Sequence, residues 1–113
     1  MSCKTTYQVE LENVREQFVQ EAADLMKKEL NINYNKQGNK FEIRYPSTNY
    51  PMYASVDKKG NLQINGDSDD RSRINKYSGQ LKQFYEAVEL SHEFGAPIDY
   101  NKETQEIQLL VTV

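Results

Sequence analysis

Hydrophobic and polar residues follow regular periods along most of the chain, and these periods predict its first two elements. From residue 4 to residue 10 the two kinds alternate, which is typical of a half-buried strand. Asn13 and Glu16 then have the spacing of a capping box, with Asn in place of Ser or Thr. The helix that follows presents one apolar stripe and ends at Asn31, a residue type common at left-handed C-caps. The stripe comprises Val14, Phe18, Ala22, Leu25, Met26 and Leu30.

Two hairpins are predicted in the middle of the chain. The first has arms at 32–35 and 40–45 around Gly38. In its second arm, Phe41, Ile43 and Tyr45 face one way and Lys40, Glu42 and Arg44 face the other. The segment from Pro46 to Pro51 is predicted as a loop because both prolines disfavour continuous ladder pairing. The second hairpin has arms at 52–56 and 62–64 around a turn at 57–61.

A second helix and a last hairpin complete the predicted elements. The helix is expected from Arg73 to Phe94, since Gly95 fits a left-handed cap and Pro97 cannot continue a helix. A polar connector at 66–70 precedes it, and a hairpin with arms at 98–100 and 106–113 follows. The stripe of this helix comprises Ile74, Tyr77, Leu81, Phe84, Val88 and His92.

The order of these elements, βα, ββ, ββ and αββ, indicates the fold class. Two amphipathic helices need an apolar surface to cover, and an antiparallel sheet offers one such face. We therefore expect a single α+β domain over residues 1–113. It would be a two-layer sandwich in which an antiparallel sheet carries both helices on one face.

An internal similarity recurs at an offset of 66 residues. The segment 32–36, Ile-Asn-Tyr-Asn-Lys, matches the segment 98–102, Ile-Asp-Tyr-Asn-Lys, and residues 17–18 match residues 83–84. Each copy comprises a helix followed by a hairpin, which favours a duplicated αββ unit. The alternative is convergence, because amphipathic helices and hairpins draw on similar residue types.

The length and composition of the chain favour a small globular protein over a disordered or a membrane-spanning one. The chain has 113 residues, of which 37% are hydrophobic, so it has room for one domain and is too apolar for a disordered tail. No apolar run approaches the ~20 residues that cross a membrane, and residues 1–4 show no hydrophobic signal region. We therefore expect a cytoplasmic protein without a membrane association. The one cysteine, Cys3, cannot form an internal disulfide and is expected to be inert.

Catalytic constellations are scarce in this sequence. The one histidine, His92, forms a Glu-x-x-His pair with Glu89, but a di-metal bundle site needs a second such pair. A nucleophile activated by histidine would also have to use His92. We expect a structural role for it, partly buried near the end of its helix. No glycine-rich phosphate-binding motif occurs, and no cofactor is predicted.

The acidic connector is the one candidate for a metal site. Asp67, Asp69 and Asp70 could supply oxygen ligands to a divalent cation. An EF-hand loop would place other residues where Arg71 and Ser78 stand. The preferred interpretation is a solvated loop whose carboxylates oppose the positive end of the helix dipole, and no metal is predicted.

A mildly basic block in the centre of the chain is the candidate binding region. Residues 31–66 carry five basic and two acidic side chains, whereas the segments on either side are net acidic and the whole chain has a formal charge of −3. Basic and aromatic side chains on a sheet can hold a single nucleic-acid strand, but Tyr and Arg are also enriched at protein interfaces. The predicted binding residues are Arg44, Tyr45, Tyr50, Tyr53, Lys36 and Lys40.

Parts of the sequence resemble the small, uncharacterised ycf-type open-reading-frame family of chloroplasts and cyanobacteria, which also occurs in other bacteria and their phages. The residues that carry the resemblance are Leu81-Lys82-Gln83-Phe84-Tyr85, the helix to Phe94, Gly95 and the strand 106–111, with Thr5-Thr6 ahead of the first strand. The chain departs from the family pattern in lacking tryptophan and in having Ala96-Pro97 after the helix glycine. The resemblance implies a small accessory protein and assigns no functional residues.

These observations lead to one preferred function and two alternatives. We expect a small non-enzymatic accessory protein that acts through protein–protein contacts, forms a homodimer and is encoded by a phage or mobile element. The first alternative is a binder of single-stranded nucleic acid or of another anionic ligand, which would use the central sheet. The second is a small metal-dependent enzyme that would use the cluster at Asp67.

Overall fold

A computed structural model describes residues 4–8, 11, 13–46 and 50–110, and it has the predicted α+β order. The two helices are α1 (Glu16–Leu30) and α2 (Arg71–Phe94), and a short 3-10 turn (Ser68–Asp70) precedes α2. The strands are β1 (Lys4–Gln8), β2 (Asn33–Gln37), β3 (Lys40–Arg44), β4 (Met52–Val56), β5 (Leu62–Asp67), β6 (Ile98–Asn101) and β7 (Glu106–Leu109).

The first five strands form one antiparallel sheet in the order β1-β5-β4-β3-β2, and β6 and β7 form a separate two-stranded sheet. Phe41 pairs with Ala54 and Ala54 pairs with Ile64, so these three residues form a row across the sheet. Paired residues of antiparallel strands share a face, and all three are fully buried. This row marks the inner face of the sheet.

The hydrophobic core lies between the inner face and the two helices. Phe18 of α1 is 6% exposed and Phe84 of α2 is 2% exposed, which confirms the helix faces predicted from the stripes. Val19 and Ala23 are fully buried as well, whereas Leu25 is only partly buried. The buried side of α1 is therefore rotated slightly from the predicted stripe.

The start of α1 differs from the prediction. The helix begins at Glu16 after Arg15, and no side chain caps it. Asn13 has a left-handed backbone, with a φ of 55°, and therefore does not serve as the predicted N-cap. The backbone N–H of Val14 instead donates to the carbonyl of Gly60 at 2.8 Å. The backbone at this position is held by a hydrogen bond to the turn at Gly60, which is distant in sequence. The predicted capping box at Asn13 and Glu16 is therefore wrong.

Both predicted helix C-caps are confirmed. Asn31 and Gly95 have left-handed backbones, with φ values of 57° and 62°. The N–H of Gly95 donates to the carbonyl of Ser91, which satisfies one of the last helix carbonyls. These caps end the helices where the sequence indicated and allow the chain to enter a hairpin after each.

The last hairpin packs against α2 and does not join the main sheet. Tyr100 of β6 contacts the ring of Phe84, with centroids 5.5 Å apart, and Ile107 of β7 packs on the same core. The proposed repeat thus has two αββ units in the same order. Their hairpins differ, because two residues join β2 to β3 and four join β6 to β7. The duplication stays a prediction.

Several predicted segments lie outside the described residues. These are Cys3, the end of the first strand at 9–10, part of the proline-bounded loop at 47–49 and the end of the last strand at 111–113. Neither described helix combines the length and the hydrophobicity that a membrane span needs.

Candidate functional site

The face of the main sheet opposite to the helices is polar, and we call it the outer face. Its side chains alternate with those of the buried inner face, and the strand register joins them into rows. Both helices lie on the other side, so no described helix covers this face. The outer face comprises Asn33, Asn35, Gln37, Lys40, Glu42, Arg44, Tyr53, Ser55, Gln63 and Asn65.

Three of the six predicted binding residues meet on the outer face. The Nζ of Lys40 lies 5.4 Å from the centroid of the Tyr53 ring, which is within the range of a cation–π contact. Arg44 is exposed, and its Nε lies 3.0 Å from a carboxylate oxygen of Glu42. The positive charge of Arg44 is therefore partly balanced within the face, and the surface around Tyr53 is more polar than basic.

Tyr45 does not belong to this surface, which corrects the predicted binding set. Its side chain is only 7% exposed, on the same side of the chain as Phe41 and Ile43. The ring stacks on Tyr77 of α2, and the hydroxyl donates to Gln80 at 3.2 Å. Burial raises the pKa of the Tyr45 hydroxyl far above its ordinary value. Alternation with Phe41 and Ile43 already indicated the core side.

Lys36 also lies away from the outer face. It pairs in register with Phe41, so its side chain is on the helix side at the edge of the sheet. Its Nζ lies 3.1 Å from the carboxylate of Glu16 and 3.4 Å from the amide oxygen of Gln20, both on α1. Lys36 therefore joins β2 to α1 and lies on the other side of the sheet from Arg44, Tyr53 and Lys40.

Tyr34, two residues before Lys36 on the same side of β2, also joins β2 to α1. Its hydroxyl donates a hydrogen bond to the carboxylate of Asp24 on α1. Burial, with the hydrogen bond and negative charge of Asp24, raises the pKa of the Tyr34 hydroxyl to about 12. The helix side of this hairpin is thus engaged with α1.

Tyr50, in the segment between β3 and β4, is held at the start of α2. Its side chain is 40% exposed, while its backbone N–H donates to the carboxylate of Asp70 at 3.1 Å. Asp70 is almost fully buried and lies 3.6 Å from a guanidinium nitrogen of Arg73. The hydrogen bond fixes the chain next to Pro51 against the start of α2. No local pattern in the sequence indicated this role of Asp70.

The acidic connector is not the solvated loop that the sequence predicted. Asp67 and Asp70 are 6% and 2% exposed. An Asp67 oxygen accepts the backbone N–H of Asp69 at 3.0 Å, which shapes the turn into α2. In the described part of the chain, no three His, Cys, Asp or Glu side chains are grouped as a metal ion would require. These carboxylates organise the backbone where the sheet meets the helix.

His92 links the two helices. Its ring stacks on Phe18 with centroids 4.5 Å apart, and its Nε2 lies 2.7 Å from a carboxylate oxygen of Glu21. The side chain is half exposed, so it is less buried than the sequence led us to expect. These contacts are consistent with the structural role that was predicted.

A second surface, between α2 and β7, was not found from the sequence. Leu90, which lines it, is 38% exposed, and Phe94 at the end of α2 and Leu110 just after β7 are exposed by 61% and 54%. Leu90 and Phe94 are four residues apart on α2 and lie off the stripe that defines the core. Two apolar residues at helical spacing, outside the predicted apolar stripe, were the signal available in the sequence.

Comparison with protein-family models, with curated proteins and with solved structures found no match to this chain. The family resemblance carried by residues 81–85 and 106–111 therefore stays a prediction.

Proposed function

We propose that the protein is a small, non-enzymatic accessory protein of the cytoplasm that binds another protein through the outer face of its main sheet. One observation supports this most strongly. The helices both cover the inner face, and the polar outer face, with Tyr53, Lys40 and Arg44, has no described helix over it. The exposed Tyr50, in the segment between β3 and β4, is a further candidate for the contact.

The composition of the outer face favours a protein partner over a nucleic acid. Two of the six predicted residues, Tyr45 and Lys36, are directed to the helix side, and Arg44 has a carboxylate neighbour. The remaining face is rich in Asn and Gln, which carry no charge to offset phosphates. Amides and tyrosines form hydrogen bonds readily with polar protein surfaces.

The non-enzymatic part of the proposal rests on the inventory of reactive groups. The chain has one His and one Cys, and His92 is engaged with Glu21 and Phe18. The buried Asp70 is engaged with the backbone of Tyr50. A homodimer stays a prediction, and sedimentation of the purified protein measures it directly.

Affinity capture with paired charge variants tests the outer face. One variant combines Lys40→Glu with Arg44→Glu on the outer face, and the control combines Lys27→Glu with Lys28→Glu on α1. Both pairs are exposed, so both variants should fold, and they change the net charge equally. Proteins captured from a native lysate by the wild type are compared with those captured by each variant.

We expect the outer-face variant to lose a protein partner that the α1 control retains. Retention of every partner by the outer-face variant, with loss in the control, would contradict the proposal. Capture that disappears when the lysate is treated with nuclease would favour the nucleic-acid alternative instead.

A further inference from the structure

A groove runs between α2 and β7, and none of its lining residues belongs to the main sheet. It encloses about 470 Å³ and is lined by one helix face and five consecutive residues of the last strand and its turn. The helix contributes residues at intervals of three or four, which all lie on one side of α2. The lining comprises Gln83, Glu86, Ala87, Leu90, Gln105, Glu106, Ile107, Gln108 and Leu109.

The groove follows the free edge of β7. Residues 105–109 all line it, with both alternating sets of side chains represented, and β6 contributes none. A groove that follows five successive residues of one strand lies along its backbone edge and not across its face. β7 pairs with β6 on one side only, and no described strand pairs with its other edge.

The hydrogen-bond pattern of the hairpin shows which backbone groups this edge presents. The N–H of Leu110 donates to the carbonyl of Pro97 at 2.9 Å. Hydrogen-bonded positions alternate along an antiparallel ladder, so Gln108 also bonds toward β6. The N–H and C=O groups of Ile107 and Leu109 then point away from β6, into the groove. An added strand would find donors and acceptors there at the spacing of a ladder.

The charge around the groove indicates which charge a bound partner would carry. Glu86 and Glu106 line it, and among the described residues no basic side chain does. The nearest basic partner is Lys82, one turn earlier on α2, whose Nζ lies 4.0 Å from the carboxylate of Glu86. Residues 83–110 carry six acidic side chains and one basic side chain. The apolar lining residues are Ala87 and Leu90 of α2 and Ile107 and Leu109 of β7. A second copy of this chain would bring a second acidic edge to the first, and the like charges would repel.

We propose that this groove binds an extended segment of another protein in which basic and apolar side chains alternate, and that the segment pairs with β7 as a third strand. Backbone hydrogen bonds to Ile107 and Leu109 supply the pairing. Apolar side chains of the segment contact Leu90 and Ala87, while its basic side chains lie near Glu86 and Glu106. This surface is separate from the outer face, so the two contacts are independent.

The test uses a fluorescent synthetic peptide in which Lys alternates with Val over about eight residues, a common strand length. Binding to the full-length protein is measured by anisotropy at several salt concentrations. Three peptides serve as comparisons: one with Glu in place of Lys, one with the same residues in blocks, and one with methylated backbone nitrogens on the edge that would face β7. Amide shifts of the protein locate the contact.

We expect the alternating Lys–Val peptide to bind, to weaken with added salt, and to shift the amides of Ile107 and Leu109. The three comparison peptides should bind at least about tenfold more weakly, a loss of about 1.4 kcal/mol of binding free energy. Glu86→Lys with Glu106→Lys should weaken binding to a similar degree. The matched control, Asp99→Lys with Glu103→Lys, reverses two acidic residues of the same hairpin that do not line the groove and should bind normally.

Equal affinity for the methylated or the Glu peptide would overturn the proposal, as would amide shifts confined to the outer face. Absence of binding by the folded wild type would overturn it too. Self-association that competes with the peptide would assign the groove to a second copy instead. The outer-face variant, Lys40→Glu with Arg44→Glu, should bind the peptide normally, so a failure here is distinguishable from a failure of the outer-face proposal.

Discussion

The rings of Tyr45 and Tyr77 lie parallel, with their centroids 3.5 Å apart and their planes inclined by 5°. Tyr45 follows the last residue of β3 and Tyr77 lies in the second turn of α2, so the stack joins the sheet to the longer helix. Both side chains are nearly buried. A tyrosine proposed from the sequence as a binding residue is therefore part of the core.

Tyr45→Ala should destabilise the protein by about 3–5 kcal/mol, the usual cost of removing a buried aromatic ring. Tyr45→Phe keeps the ring and loses the hydroxyl that bonds to Gln80, so it should cost only about 1 kcal/mol. Urea unfolding of both variants measures these free energies. Equal losses for the two variants would show that the ring stack contributes little.

The buried faces of both helices give a second prediction. Phe18→Ala and Phe84→Ala should each cost about 3–5 kcal/mol, because both rings are buried against other aromatic residues. That is a large part of the total stability of a small domain. If each substitution lowered the free energy of unfolding by less than about 1 kcal/mol, neither ring would be packed as described.

The fold was predicted well because its signals are local. Two apolar stripes, the residues Asn31 and Gly95 at the helix ends, and the alternation around Phe41 each depend on a few neighbouring positions. The failed capping box at Asn13 has a distant cause, because the backbone there bonds to Gly60 and the N–H of Arg15 donates to the hydroxyl of Tyr85. Contacts between residues so far apart leave no periodic signal.

Two residues of the candidate binding set lie on the opposite side of the main sheet from Arg44. Sequence proximity grouped Lys36 and Tyr45 with Arg44, but the alternation of strands separates them onto opposite sides of the sheet. The position of the last hairpin depends on how Tyr100 packs against Phe84, a contact that no local pattern encodes. The groove beside β7 was missed with it.

Replacing either of two glycines with alanine should change the stability of the protein, but in opposite directions. A Cβ added to Gly66 of β5 would lie 2.8 Å from the side chain of the fully buried Ile74, whereas one added to Gly79 of α2 would meet nothing within 4 Å. Gly66→Ala should therefore destabilise the protein by about 1–3 kcal/mol through overpacking. Gly79→Ala should stabilise it by about 0.5–1 kcal/mol, since alanine favours a helix.

Thermal melts of the two variants, recorded side by side, measure this contrast. A Gly66→Ala variant as stable as the wild type would show that Ile74 moves aside freely and that α2 is not held closely against β5. A loss of stability in Gly79→Ala would contradict the open surroundings of that position.

Asp57 gives the protein an acid-sensitive contribution to stability. The backbone N–H groups of Asn61 and Lys59 donate to its carboxylate, each at 2.9 Å, and hold its pKa below the ordinary value. A carboxyl with a lowered folded pKa stabilises the fold above its unfolded pKa of about 4, and this contribution disappears as the pH falls through the folded pKa. Between neutral pH and pH values below about 4, the wild type should therefore lose more stability than Asp57→Asn does.

Chemical unfolding over this pH range tests the expectation, with Asp99→Asn as a control on a different hairpin. Parallel losses in the wild type and Asp57→Asn would show that the turn at Asp57 does not bind its carboxylate more tightly in the folded state.

Site-specific photo-crosslinking tests the central claim, that the outer face binds a protein partner. Benzoylphenylalanine replaces Tyr53 in the middle of the outer face, and in a control it replaces the exposed Lys28 on α1. Both proteins are expressed and irradiated in cells that produce the natural chain, and the covalent products are separated by mass. We expect a discrete protein adduct from position 53 that is absent from position 28. An adduct from position 28 alone, or an adduct from position 53 that contains only nucleic acid, would contradict the claim.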